Sequence, residues 1–111
     1  MMFEERHLAQ LAAVAGAGGA TEGAALVGLS QPAVSRTLST MEKRLGEPLF
    51  QAGRRPLIPT LIGRQLAAHG KVILEASRKA SETVQNFQRS TLGTVRIGGV
   101  SLLRRIADVG V

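Results

Sequence analysis

Ser30-Gln31-Pro32-Ala33-Val34-Ser35-Arg36 opens the stretch that decides the fold, which runs on through Met41-Glu42 to Leu45-Gly46-Glu47-Pro48-Leu49-Phe50. Ser30 offers its hydroxyl to the free amides of a first helical turn. Pro32 falls inside that turn, where a missing N–H costs little. Val34, Leu38, Met41 and Leu45 follow at spacings of 4, 3 and 4, which is one stripe along a helix. Pro32, Ser35, Arg36, Ser39 and Lys43 lie on the opposite side, and Gly46 ends the helix as a C-terminal cap does. Such a helix packs on its own domain from behind and presents a small, polar, cationic face to an anion.

Upstream, residues 3–15 predict a first helix with Leu8, Leu11, Ala12 and Val14 inward, stopped by Gly16, Gly18 and Gly19. That glycine cluster is not GxGxxG and follows no strand, so a phosphate cradle is not supported. Glu4 and Glu5 put negative charge where a signal peptide needs positive. Thr21 is placed to cap a second helix, about 22–28, with Ala24, Ala25 and Val27 inside, while Gly28-Leu29 turns the chain and Leu29 plugs the core. Downstream, Leu49-Phe50 and Leu57-Ile58 flank Gly53-Arg54-Arg55-Pro56, a small hairpin with a basic tip, the alternative being an irregular loop.

Thr60 is placed to cap a long helix, about 61–89. On it Leu66, Gly70, Ile73, Ser77, Ala80, Val84 and Phe87 alternate in steps of 4 and 3. This reads as a seam for a second chain; the alternative is packing on the chain's own domain. Ser90-Thr91-Leu92-Gly93 reads as a linker and Thr94-Val95-Arg96-Ile97-Gly98-Gly99 alternates like a strand. Leu102, Leu103, Ile106 and Val109 follow without completing a unit, as if a second domain began and stopped.

Fourteen Lys and Arg against eight Asp and Glu leave a net charge of +6 on 111 residues. A small domain this basic meets a polyanion, with nucleic acid favoured over membrane. Within residues 30–64, six cations (Arg36, Lys43, Arg44, Arg54, Arg55, Arg64) face two carboxylates (Glu42, Glu47), so +4 of the charge gathers around the cationic helix and the hairpin. Phe3, Phe50 and Phe87 are the only aromatics, too few for a base-stacking platform on single strands. There is no cysteine, which excludes disulfides and thiolate metal sites and fits a cytoplasmic setting. His7 and His69 lack neighbours at metal-ligand spacing, and no nucleophile elbow, P-loop or carboxylate pair is present. Neither catalysis nor a cofactor is therefore expected, and no apolar run reaches the roughly 18 residues of a membrane span.

On duplex DNA the amino-terminal part of a second helix of a helix-turn-helix enters the major groove. Gln31 can bond an adenine edge, Pro32 can touch a thymine methyl, Ser35 can bond a base or phosphate, and Arg36 can reach guanine or phosphate. A wing arginine, Arg54 or Arg55, can enter a narrow minor groove. Joined through the long helix, a dimer reads two half-sites of a roughly palindromic operator.

Thr21-x-x-Ala24, the Ser30–Arg36 run, Met41-Glu42, Leu45-Gly46-x-Pro48-Leu49-Phe50 and Arg55-x-x-x-x-Thr60-x-x-Gly63 resemble the amino-terminal part of a LysR-type transcriptional regulator, over about residues 2–99. The resemblance implies a mainly α fold. Residues 2–60 would form a winged helix-turn-helix of three helices and a small β-hairpin wing, with the helix-turn-helix at about 20–39 and the wing at about 48–59. Residues 61–89 would be a dimerising linker helix, and 90–111 a linker and the truncated start of an α/β effector domain. It implies bacterial transcriptional control by a dimer, or a tetramer, on double-stranded DNA. A small-molecule inducer follows only if a full effector domain exists. The implied DNA contacts are Thr21, Ser30, Gln31, Pro32, Ser35, Arg36, Lys43, Arg54 and Arg55; the dimer seam is Leu66, Ile73, Ala80, Val84 and Phe87. Ala52 stands where the family usually has arginine, Pro59 interrupts the second wing strand, and Gly23 weakens the second helix by about 1 kcal/mol. Two other functions fit the same residues: a truncated interaction protein forming mixed dimers with full-length regulators, and a nonspecific DNA binder.

Overall fold

The computed structural model describes residues 3–94. Four helices follow one another: α1 (Glu5–Ala17), α2 (Ala20–Leu26), α3 (Gln31–Leu45) and α4 (Leu61–Thr94). The mainly α winged helix-turn-helix expected from the sequence is the fold found. The chain divides into two units within α4, between Ala76 and Ser77.

α1 is shifted two residues from the expected span. Gly16 is absorbed into its last turn, and the helix stops at Gly18, which takes the left-handed conformation at φ 80°. Leu11, Val14 and Ala12 are buried as expected, and Ala13 joins them. Thr21 does not cap α2. The helix starts two residues earlier, at Ala20, with Gly19 at the N-cap, and Thr21 lies exposed in its first turn. The inner face of α2 is Gly23 and Ala24; Ala25 is exposed and Val27 only half-buried. A Cβ on Gly23 would stand 2.6 Å from the Val14 Cα, so this glycine lets α1 and α2 approach backbone to backbone. Leu29 does not plug the core: it is 43% exposed. Gly28 makes the turn at φ 69° and directs the Leu29 N–H back to the Ala24 carbonyl at 3.0 Å.

α3 follows its sequence reading closely. The Ser30 hydroxyl accepts the Ala33 N–H at 3.3 Å, Val34, Leu38 and Met41 are buried, and Gly46 closes the helix at φ 72°. Together with Leu11, Val14, Ala24 and Leu49 these residues form the core.

The expected hairpin is reduced to one antiparallel bridge, Phe50 with Pro59. The Gln51 N–H donates to the Ile58 carbonyl at 2.8 Å and the Thr60 N–H to the Leu49 carbonyl at 2.9 Å. On the Pro59 side the two bonds use the Ile58 carbonyl and the Thr60 N–H, so the bridge never asks for the N–H that proline lacks. The Leu57 N–H reaches the Gly18 carbonyl at 2.9 Å, which ties the returning chain to the end of α1.

Thr60 caps α4: its hydroxyl accepts the Gly63 N–H at 3.2 Å and donates to the Pro48 carbonyl at 2.8 Å. α4 runs past residue 89 to Thr94, so Ser90–Gly93 is helix rather than linker. Of the predicted strand over residues 94–99, Thr94 is instead the last residue of α4, and the rest of it, with the apolar positions from Leu102 to Val109, lies outside the described residues. Gly63 and Gly70 are buried where α4 meets the rest of its own chain. A Cβ on Gly63 would collide with the Leu49 carbonyl oxygen, and one on Gly70 with that of Leu8. The small residue expected to admit a second chain at position 70 is therefore occupied by α1 of the same chain. Leu66 and Ala67 pack against the same core.

Candidate nucleic-acid interface

Three elements position the cationic residues. The buried stripe of α3 locks one side of that helix into the core and leaves Gln31, Pro32, Arg36, Ser39 and Lys43 exposed, with Ser35 half-buried between them. Gln31 Nε2 donates to Ser35 Oγ at 2.5 Å, one helical turn on. Two of the expected base-contacting groups thus hold each other, while Gln31 keeps its Oε1 and a second Nε2 hydrogen, and Ser35 its own hydroxyl hydrogen, for a base edge. Ser30 is turned to its own helix as a cap, which leaves its hydroxyl less available to a ligand.

Between Phe50 and Pro59, the tip residues Gln51 to Pro56 are all exposed, so Arg54 and Arg55 stand free of the core with Ala52 beside them. Gly53 makes the tip turn at φ 70°. Buried Leu49 anchors the base of this wing. The Glu42 carboxylate accepts the Leu49 N–H at 2.8 Å and so fixes the wing to the last turns of α3. Glu42, which the charge count enters only as one of two carboxylates among the cations of residues 30–64, serves here as a backbone acceptor. No short-range pattern announces a bond to an amide seven residues away.

The residues proposed for a dimer seam fall into two groups. Leu66 belongs to the chain's own core, and Ile73 is half-buried. Ala80, Val84 and Phe87 are exposed, Val84 at 53%. His69 is exposed on α4 and His7 half-buried on α1. Among the described residues no three His, Cys, Asp or Glu side chains gather to hold a metal, and no helix is long and apolar enough to cross a membrane.

A three-helix core, a turn between α2 and α3, and a bridged basic wing define a winged helix-turn-helix domain. The family model for the bacterial regulatory helix-turn-helix protein, lysR family, matches residues 5–64. The chain belongs to that family, whose members are transcription regulators and not enzymes. It is 45% identical over 67 residues to the HTH-type transcriptional regulator AbaB of Streptomyces antibioticus, covering 60% of this chain and 22% of that one. It is 35% identical over 95 residues to the uncharacterized HTH-type transcriptional regulator YdcI of Escherichia coli strain K12, covering 86% of this chain and 31% of that one. It thus spans between 22% and 31% of the length of these two curated relatives. Its structure resembles that of the BenM_DBD/benA site 1 DNA complex, with TM-score 0.60, 26% identity, and coverage of 78% of this chain and 97% of that one. It also resembles the CbnR_DBD–DNA complex, with TM-score 0.57, 28% identity, and coverage of 78% and 100%.

Proposed function

We propose that this chain binds double-stranded DNA in a sequence-specific manner, as a dimer, and serves transcriptional control in the bacterial cytoplasm. The observation that carries this reading is the exposed amino-terminal face of α3. Gln31, Pro32, Ser35 and Arg36 are gathered at one helix end, while the other side of the helix is held immobile by Val34, Leu38 and Met41. Bases are read by Gln31, Pro32 and Arg36, with Ser35 supplying a short polar contact. Thr21, Ser30 and Lys43 sit where phosphates flank the groove, and Arg54 and Arg55 reach the adjacent minor groove from the wing. The likeness to two domains solved with DNA supports the same reading.

Exposed Ala80, Val84 and Phe87 on α4 join two copies, with Ile73 at the edge of that contact and Leu66 bracing α4 from behind. A two-fold dimer of this kind reads two half-sites and selects a roughly palindromic operator.

Selection of bound duplexes from random sequence tests the proposal. The expected result is enrichment of two related half-sites at fixed spacing. Strong, salt-sensitive retention with no enriched sequence would leave only a nonspecific binder. Failure to bind any duplex, combined with pairing to a full-length relative, would mark an interaction protein instead.

A further inference from the structure

A recognition helix fills the groove it enters: with side chains it is about 10–12 Å across, and the major groove is about 12 Å wide. A phosphate backbone therefore runs along each of its two flanks. On α3 one flank is marked by Glu42, which holds the wing through the Leu49 N–H at 2.8 Å. Counted around the helix from Glu42, Ser35, Ser39 and Pro32 lie at about 20°, 60° and 80°, and Arg36 and Thr40 follow at about 120° and 160°. The second flank is thus the side of Arg36 and Thr40, away from the wing.

That flank is not bare. α1 and α3 leave a cleft of about 450 Å³ there, lined from α3 by Arg36 and Thr40 and from α1 by Glu4 and Arg6. All four residues are exposed. The Arg6 Nε stands 3.4 Å from the Glu4 carboxylate, with both side chains more than half exposed. An exposed pair of this length is weak, whereas a guanidinium makes short charge-assisted bonds to a phosphate. Arg6 can therefore leave Glu4 for a phosphate at little cost. Arg44, farther along the cleft, already has a partner of its own and takes no part.

We propose that this cleft holds the DNA backbone on the flank opposite the wing, with Arg6 donating to a phosphodiester from α1 and the Thr40 hydroxyl from α3. A phosphodiester bears one negative charge and no O–H, so it asks for donors alone, which Arg6 and Thr40 supply. Arg36 stands at the boundary between the base-reading face and the cleft. Glu4 is the counterweight: it holds Arg6 in the DNA-free chain and repels the phosphate in the complex, so it lowers affinity. The domain thereby grips both backbones that border the groove, one by the wing and one by α1. The contact rests on the DNA binding proposed above and adds to it a residue outside both the helix-turn-helix and the wing.

The test uses the 111-residue chain and a duplex selected by it, with affinity followed by fluorescence anisotropy over a range of salt. Arg6→Gln is expected to weaken binding about tenfold, the loss of one charge-assisted bond, and to lower the salt slope by about 1 per half-site. Sequence preference stays as it was, because a phosphate contact carries no base information. Glu4→Gln, alike in shape, is expected to do the reverse and tighten binding about two- to fivefold. Both positions are exposed, so circular dichroism should show the helix content of the parent. Neutral methylphosphonate linkages, placed one at a time along each strand, then locate the contact. At one linkage beside each half-site the parent loses affinity, while Arg6→Gln, already lacking the contact, is not weakened further. Unchanged binding by Arg6→Gln, weaker or unchanged binding by Glu4→Gln, or additive losses at every linkage overturns the contact while DNA binding stands. A parent chain that binds no duplex overturns the proposed function, and the contact with it.

Discussion

Arg36 and Gly23 show how much a single position decides. Arg36 is exposed on a helix whose opposite face is fixed in the core, so truncating it removes a donor without disturbing packing. If it contacts a base, Arg36→Ala lowers specific affinity by about 1–3 kcal/mol and relaxes preference at one position of the site. Competition binding against half-site variants measures both effects, and unchanged affinity with unchanged preference would remove Arg36 from the base-reading set. Lys43, farther along the same face, differs in kind. As a phosphate contact, its replacement by alanine weakens all duplexes alike and lowers the salt slope by about 1. Gly23 sets propensity against packing. Helix propensity alone predicts that Gly23→Ala stabilises by about 1 kcal/mol. The Val14 Cα, 2.6 Å from the added Cβ, reverses the sign. Prying α1 from α2 costs about 1–3 kcal/mol, more than the propensity gain, so the variant melts at lower denaturant concentration than the parent. A higher midpoint would show that the two helices can separate freely.

Elements are coupled here mostly through backbone groups, and this sets what the sequence could disclose. The wing has one bridge and little pairing of its own; Glu42 from α3, Gly18 from the end of α1 and Thr60 at the start of α4 hold it in place. Glu42→Ala therefore leaves the buried Leu49 amide without its acceptor and destabilises by about 1–3 kcal/mol. Its mark is amide hydrogen exchange that quickens at Leu49 and through the wing more than in α1; uniform quickening, or none, would place the anchor elsewhere. The contrast between α3 and α2 has the same origin. α3 was legible because its cap, proline, apolar stripe and terminal glycine are all local signals pointing to one answer. α2 has seven residues and no side-chain cap, and its start was misplaced because a glycine N-cap gives no hydroxyl to recognise. Leu29 was misplaced because an apolar residue in a turn looks like a plug until the turn geometry is known. The exposed face of α3 and the basic tip were legible for the same reason as α3 itself. The Gln31–Ser35 bond and the cleft beside α1 were not, since they depend on rotamers and on a neighbouring helix.

At the scale of the whole chain, α4 serves two surfaces with one heptad-like pattern, and the sequence cannot tell them apart. Gly63, Leu66, Ala67 and Gly70 close against the chain's own core, and the carbonyl oxygens of Leu49 and Leu8 occupy the space that side chains would need. From Ala80 onward the same spacing continues over exposed residues, with Val84 at 53% and Phe87 at 37%. Apolar side chains repeated on one helical stripe without a cover of their own gain by burial against a second copy, about 25 cal/mol for each Å² of apolar surface removed from water. Val84→Glu separates the two roles, because Val84 is exposed and takes no part in the core of the amino-terminal unit. The thermal midpoint measured at a concentration where the chain is monomeric should be unchanged. Self-association, followed by sedimentation, should weaken by at least about tenfold, as a desolvated charge at a contact costs more than 1.4 kcal/mol. Duplexes with two half-sites should then be held no more tightly than those with one, since joined half-sites gain affinity only while the two domains are linked. A variant that still sedimented as a dimer and still preferred the paired site would move the dimer contact off this stripe of α4.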